Sequence, residues 1–250
     1  MEPYVSLKIE NKVGIIEFFH PSHNALPSNL LEQLEAAFNQ ASANDEIRVI
    51  IFKSGGDRTF CAGANFNELL QISSEDEGTL FFSGFANVIN AMRKCIKPII
   101  GRIHGKAVGG GVGLAAATDY CLASKYAAIK LSELNIGIGP FVIEPAVVRK
   151  VGLTGFTELT LNPDTFFDSS WAQKRGLYQN VFDETSQLDD AVNVLAKRLC
   201  TYNSSALQNL KSVLWANTNH WDELLIDRAK LSGQLILSHE AKAALKKHIS

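Results

Sequence analysis

Three consecutive glycines, Gly109, Gly110 and Gly111, stand between an apolar run and the helix-forming stretch Leu114-Ala115-Ala116-Ala117. Without a Cβ, their N–H groups can touch a ligand directly, and a left-handed backbone costs them little. The alanines predict a helix that opens on these glycines, and the first N–H groups of a helix have no intrahelical acceptor. Such an end is an anion site. Two phosphate-binding patterns fail on the residues. Gly105-Lys106 is followed by Ala107 rather than Ser or Thr, and Leu114 stands where a dinucleotide fingerprint needs its third glycine. Taken alone, the glycines would serve equally well to let a buried helix pack closely.

A second cluster of small residues, Ala62-Gly63-Ala64, lies in the segment TFCAGANFNELL, directly after a strand and a turn. Alone it reads as a tight connection. Two carboxylates follow the glycines, Glu133 in LSELNIGIGP and Glu144 in PFVIEPAVV. Either residue type can move a proton if it is held beside a reacting carbon. Without further context Glu133 reads as a surface carboxylate on a loop, and Glu144 as a first-turn acid that favours the dipole of the helix after it.

Elements that would position these groups are legible in the patterning. Tyr4–Glu10 and Val13–Phe19 are β-branched and aromatic runs meeting at Asn11-Lys12, which predicts an opening hairpin. Ser28 is the expected N-cap of a helix whose apolar positions are Leu30, Leu31, Leu34, Phe38 and Ala41. A buried strand is expected over 48–54, an amphipathic helix over 80–95 and a strand over 98–103. After Val142 helical runs dominate, at 169–175, 188–202, 204–216, 221–237 and 239–248. Trp171, Trp215 and Trp221 read as core or subunit contacts.

Composition narrows the functional classes. The chain has 250 residues, 46% hydrophobic and 20% charged, enough to bury a full core. Its formal net charge of -2 gives no electrostatic footprint for nucleic acid or for an anionic membrane. The start, MEPYVSLKIE, lacks a signal-peptide pattern, and no run has membrane-spanning length, so a soluble cytoplasmic protein is expected. Cys61, Cys95, Cys121 and Cys200 show neither metal spacing nor a paired framework and are read as reduced. No histidine pair has metal-ligand spacing with a third ligand nearby, so no metal is expected. His104 reads as a packing residue, and His20 and His23 as part of the opening turn.

Together the pieces resemble the crotonase family, the enoyl-CoA hydratase/isomerase superfamily. The resemblance is carried by NAL at residues 24–26, FCAGANF at 60–66, IHGKAVGGGVGLAAATD at 103–119, SELNIGIGP at 132–140 and FDSSWAQKRGL at 167–177. It implies an α/β fold, a crotonase-like spiral of ββα units with a helical C-terminal trimerisation region. On that basis residues 1–190 form the spiral core, which binds acyl-CoA and carries the chemistry, and 191–250 form the helical oligomerisation region. A homotrimer or a dimer of trimers is implied, with an acyl-CoA thioester as ligand. No separate cofactor is implied, since CoA is part of the substrate.

Carried over by position, the resemblance makes the Ala64 and Gly110 N–H groups the donors that polarise the thioester carbonyl, with Glu133 as the acid/base. Ala25, Ala62, Ala64, Asn65, Phe66, Asn67 and Gly110 would bind substrate, with residues 64–67 along the CoA. Asn65 replaces a common Asp. Hydratases of the family typically carry two glutamates, and the first of these positions is Gly113 here. One carboxylate suffices to shift a double bond, whereas hydration calls for a second group or for one carboxylate acting twice in sequence. Glu144 is the possible second carboxylate.

Phe141 and Ile143 stand where small residues are common and should reshape the acyl pocket. The stretch from Pro140 to Gly152 is partly like that of methylglutaconyl-CoA hydratases. A hydratase of that type, another reaction on the same thioester, and an acyl-CoA-binding paralogue without turnover all stay open. Lys246 and Lys247 read as solvated surface residues that could also face CoA phosphates.

Overall fold

A computed structural model describes residues 1–247. The chain opens with strands β1 (Tyr4–Glu10) and β2 (Val13–Phe19), paired antiparallel. Asn11 and Lys12 between them have φ of 50° and 70°, the left-handed pair that matches the twist of a two-residue hairpin. Helix α1 (Ser28–Ala43) then buries Leu30, Leu31, Leu34, Phe38 and Ala41. Pro27, not Ser28, is the residue before the first turn. Ser28 is already helical, and its N–H and hydroxyl both donate to Glu68 Oε2 at 2.9 Å, an acceptor distant in sequence.

From here the chain alternates between two sheets. Strand β3 (Val49–Ser54) enters a large sheet and β4 (Thr59–Cys61) a small one. Helices α2 (Phe66–Gln71) and α3 (Glu75–Lys94) follow, then β5 (Ile99–Ile103) in the large sheet and β6 (Lys106–Val108) in the small one. Helix α4 (Gly110–Ala116) leads to β7 (Tyr120–Ser124) and β8 (Ile129–Lys130), again one strand in each sheet. This is the spiral of ββα units expected from the resemblance. The large sheet has the order β1-β2-β3-β5-β7-β9, with β9 at Asn180–Phe182, and the small one β4-β6-β8. Apart from the opening hairpin, all pairings between these strands are parallel among the described residues.

Strand β3 shows why its sequence VIIF is apolar throughout. Ile50 and Phe52 face the main core, while Val49 and Ile51 face a second apolar layer with Leu188, Val192 and Ala196 of α7 (Thr185–Cys200). A parallel strand covered on both faces has no polar side to present. Helix α3 starts before the expected 80–95 segment. Ser74 caps it, its Oγ accepting the Glu77 N–H at 3.2 Å, and Glu75, Asp76 and Glu77 fill the first turn. Those acids suit the positive end of the helix but carry no apolar periodicity.

The remaining helices are α5 (Glu144–Thr160), α6 (Ser169–Lys174), α8 (Ser204–Leu214), α9 (Trp221–Leu235) and α10 (His239–Lys247). His248, the expected end of the last helix, lies outside the described residues. Helix α8 is fastened by a buried ion pair, Lys211 Nζ to Asp119 Oδ2 at 2.7 Å. Asp119 also accepts the Trp215 Nε1–H at 2.6 Å and the Ile99 N–H at 2.7 Å. Helix α9 crosses α3 where Gly78 meets Gly233; a Cβ on Gly78 would stand 2.7 Å from Gly233 Cα. The four cysteines are free. Among the described residues no helix is long and apolar enough to cross a membrane.

Candidate active site

The small parallel sheet ends in three loops, and each brings one of the pieces singled out in the sequence. Strand β4 runs into Ala62-Gly63-Ala64, β6 into Gly109-Gly110 and β8 into Ser132-Glu133. With β6 in the centre of the sheet, the glycines lie between the other two. Crevices at the carboxyl ends of parallel strands are where such folds hold ligands. Ala62, Ala64, Gly110 and Glu133 all line one cavity here.

Close approach explains the glycines. Gly109 has φ of 52°, and a Cβ there would stand 2.9 Å from Glu133 Oε1. Gly63 has φ of 87°, and its Cβ would stand 2.9 Å from the Val108 carbonyl oxygen. A side chain at either position would be strained and would push the strand ends apart. On Gly110 a Cβ would lie 2.3 Å from Phe85 Cε1, so this peptide is held under an aromatic ring.

Two N–H groups are left over. Gly110 is the first residue of α4, so its N–H has no intrahelical acceptor. Ala64 is bridged to Leu26 through its neighbours: Leu26 N–H donates to the Gly63 carbonyl at 2.8 Å and Asn65 N–H to the Leu26 carbonyl at 3.2 Å. Among the described residues neither the Ala64 nor the Gly110 N–H donates to a protein acceptor. Both residues line the same cavity.

Glu133 opens a short 3-10 turn, Glu133–Ile136, that closes on Gly137 in the left-handed region. Its Oε2 is inaccessible and without a hydrogen-bond partner. Burial pushes its carboxyl up to about 7, against the opposing pull of the Glu133 and Ser132 backbone N–H groups. A carboxyl held there exchanges its proton near neutral pH, as an acid/base group must.

At Gly113 the structure gives a reason for the missing side chain. A Cβ would stand 2.3 Å from Ile143 Cγ2, so the isoleucine fills that space. Glu144 is the first residue of α5, as its spacing predicts, and does not line the cavity. Its Oε2 lies 3.7 Å from the Arg228 guanidinium.

Several residues expected along the ligand have other contacts. Asn65 caps α2, its Oδ1 accepting the Asn67 N–H at 3.0 Å and the Glu68 N–H at 3.3 Å. Phe66 lines the cavity, whereas Ala25, Asn65 and Asn67 do not. Sequence reasoning missed the residues that hold the 62–64 segment. Asn24 donates from Nδ2 to the Gly55 and Thr59 carbonyls at 2.9 and 2.8 Å, bracing the strand turn before β4. The Asn24-Ala25-Leu26 stretch that carries the resemblance was the available signal. Ser232 of α9, a lining residue, came with no signal. His104 is buried with neither ring nitrogen partnered, and desolvation pushes it down to about 4. Burial pushes Cys61 up to about 12, which keeps that thiol protonated.

Comparisons with known proteins bear on the family and the fold. A family model described as enoyl-CoA hydratase/isomerase matches residues 8–248. The chain is 32% identical over 235 residues to the peroxisomal Delta(3,5)-Delta(2,4)-dienoyl-CoA isomerase of Arabidopsis thaliana, covering 86% of this chain and 83% of that one. Over 169 residues it is 32% identical to the mitochondrial methylglutaconyl-CoA hydratase of Mus musculus, covering 67% of this chain and 53% of that one. A solved enoyl-CoA hydratase from Bacillus halodurans shares the fold with a TM-score of 0.91 at 21% identity, over 98% of this chain and 99% of that one.

Proposed function

The chain belongs to the enoyl-CoA hydratase/isomerase family, and from that premise we propose that it is an enzyme that shifts the double bond of an enoyl-CoA thioester. Glu133 takes a proton from C2 of a 3-enoyl-CoA, and the electron pair moves onto the thioester carbonyl oxygen as a dienolate. The same proton returns at C4, leaving the 2-enoyl thioester; the C3=C4 bond becomes C2=C3 and no atom is gained or lost. The Ala64 and Gly110 N–H groups hold the developing oxyanion. Preorganised donors of this kind contribute roughly 3–4 kcal/mol each to comparable transition states.

The observation that carries this reading is the packing of Ile143 against Gly113. It fills the position where the resemblance expects the first of two glutamates, which favours a one-base proton shuttle. A Glu133 carboxyl that titrates near 7 suits a group that must both accept and return a proton. Family membership also supports assembly as a homotrimer or a dimer of trimers, which sedimentation would measure.

The test is one spectrophotometric comparison on purified protein. Appearance of the conjugated enoyl-thioester absorbance from a 3-enoyl-CoA, without its loss from a 2-trans-enoyl-CoA, is the expected result. Loss from the 2-enoyl substrate would make the protein a hydratase that works with one carboxylate. Silence on both would leave a binding paralogue or another thioester reaction.

A further inference from the structure

The cavity that holds Ala64, Gly110 and Glu133 has no lysine, arginine or histidine among its described lining residues. Its wall beyond the glycines is built from Phe82, Phe85, Ile136, Phe141, Val142 and Ile143. Polar side chains come from Ser132, Ser232 and Glu133. The Ser232 hydroxyl already donates to the Arg228 carbonyl at 3.1 Å. Arg228 itself stands outside the lining, with one terminal guanidinium nitrogen 3.7 Å from Glu144 Oε2 and its Nε buried without a hydrogen-bond partner.

A substrate carboxylate in this cavity would meet no counter-charge. It would share an apolar enclosure with the Glu133 carboxyl, and a buried ion without a partner is strongly disfavoured. A second negative charge near Glu133 would also hold that residue protonated, in the form that cannot act as base. An uncharged acyl group meets neither obstacle and gains from covering the aromatic and aliphatic wall.

We infer that the site, on the acyl-CoA reading proposed above, accepts thioesters whose acyl group is uncharged and rejects those whose acyl group ends in a carboxylate. This sets its substrate class apart from that of methylglutaconyl-CoA, whose acyl group carries such a terminus. The discrimination lies in the missing cation, not in pocket size.

Titration calorimetry on the intact protein with free CoA, 6-methylheptanoyl-CoA and adipoyl-CoA tests this. The two acyl chains are saturated and nearly isosteric, differing in an isopropyl against a carboxylate end. The expected result is that 6-methylheptanoyl-CoA binds more tightly than free CoA, and that adipoyl-CoA binds about tenfold or more weakly than its isostere. Equal or tighter binding of adipoyl-CoA overturns the inference while leaving the acyl-CoA reading in place. If neither thioester binds better than free CoA, the acyl-CoA reading fails and the inference falls with it.

Discussion

Ile143 Cγ2 occupies the space beside Gly113, 2.3 Å from where a Cβ on that glycine would stand. The two residues are thus one unit, in which a lost side chain on α4 is replaced by a gained one before α5. Gly113→Glu alone should overpack this contact and destabilise the fold by about 1–3 kcal/mol or more. Paired with Ile143→Ala, the glutamate gains the space that Ile143 fills, and on the isomerase reading the double variant should gain hydration of 2-trans-enoyl-CoA. Thermal unfolding reads the first effect and loss of enoyl absorbance the second. A double variant that is folded but still inactive in hydration would mean that a second carboxylate is not what separates the two reactions here.

Glu133 supplies a pH signature in both activity and stability. Its carboxyl titrates at about 7 in the fold and near 4.5 when solvated. As a base it must be ionised, so kcat/KM should fall about tenfold per pH unit below 7. For stability the sign is opposite. The neutral form is favoured in the fold, so the group's contribution is full below pH 4.5 and is lost as pH rises through about 7. Glu133→Gln should therefore lower turnover roughly 10²–10⁴-fold. It should also be more stable than the parent at pH 8, by on the order of 1–3 kcal/mol, with the difference vanishing at pH 4. Urea unfolding at the two pH values checks it. Equal stability at pH 8 would mean that the carboxyl is solvated.

The sequence made β1, β2, β3 and β5 legible because each is a β-branched, aromatic or apolar run, whereas the two- and three-residue strands of the small sheet are too short to carry a pattern. It made the glycines legible because their type is dictated by backbone contacts such as Gly63 to Val108 and Gly109 to Glu133. What stayed hidden depends on partners distant in the chain. Ser28 looks like a helix cap, yet it bonds to Glu68, which no local pattern reveals. Glu75-Asp76-Glu77 reads as a charged linker until Ser74 turns it into a helix start. Ser232 enters the cavity through the Gly78–Gly233 helix crossing, a contact between residues with no sequence relationship.

His104 should act as a hidden acid sensor of stability. It is 2% exposed, neither ring nitrogen has a partner, and desolvation holds it at about 4 against 6.5 in the unfolded chain. A depressed base contributes fully above pH 6.5, and that contribution is lost as pH falls towards 4 because the unfolded chain takes up the proton first. The loss across this window is about 3 kcal/mol. His104→Leu, close in volume and free of unsatisfied nitrogens, should match or exceed the parent at pH 7 and lose much less between pH 6.5 and 4. Parallel acid-dependence in the two proteins would show that the ring is hydrated in the fold.

Lys211 and Asp119 test how α8 is attached. Their side chains are 3% and 7% exposed, and Asp119 also receives the Trp215 indole and the Ile99 N–H. Removing one partner of a buried pair strands the other charge, which typically costs 3–5 kcal/mol, while replacing both is much less costly. Lys211→Met should therefore be about 3–5 kcal/mol less stable, and Lys211→Met with Asp119→Asn should recover a substantial part of that loss. Because Asp119 closes the loop after α4 by accepting the Ile99 N–H, the single variant should also lower turnover by loosening the helix that begins at Gly110. Denaturant unfolding with tryptophan fluorescence follows both effects, since Trp215 loses its Asp119 acceptor if α8 detaches. Strictly additive losses in the two single variants and the double one would show that the ion pair does not couple α8 to the core.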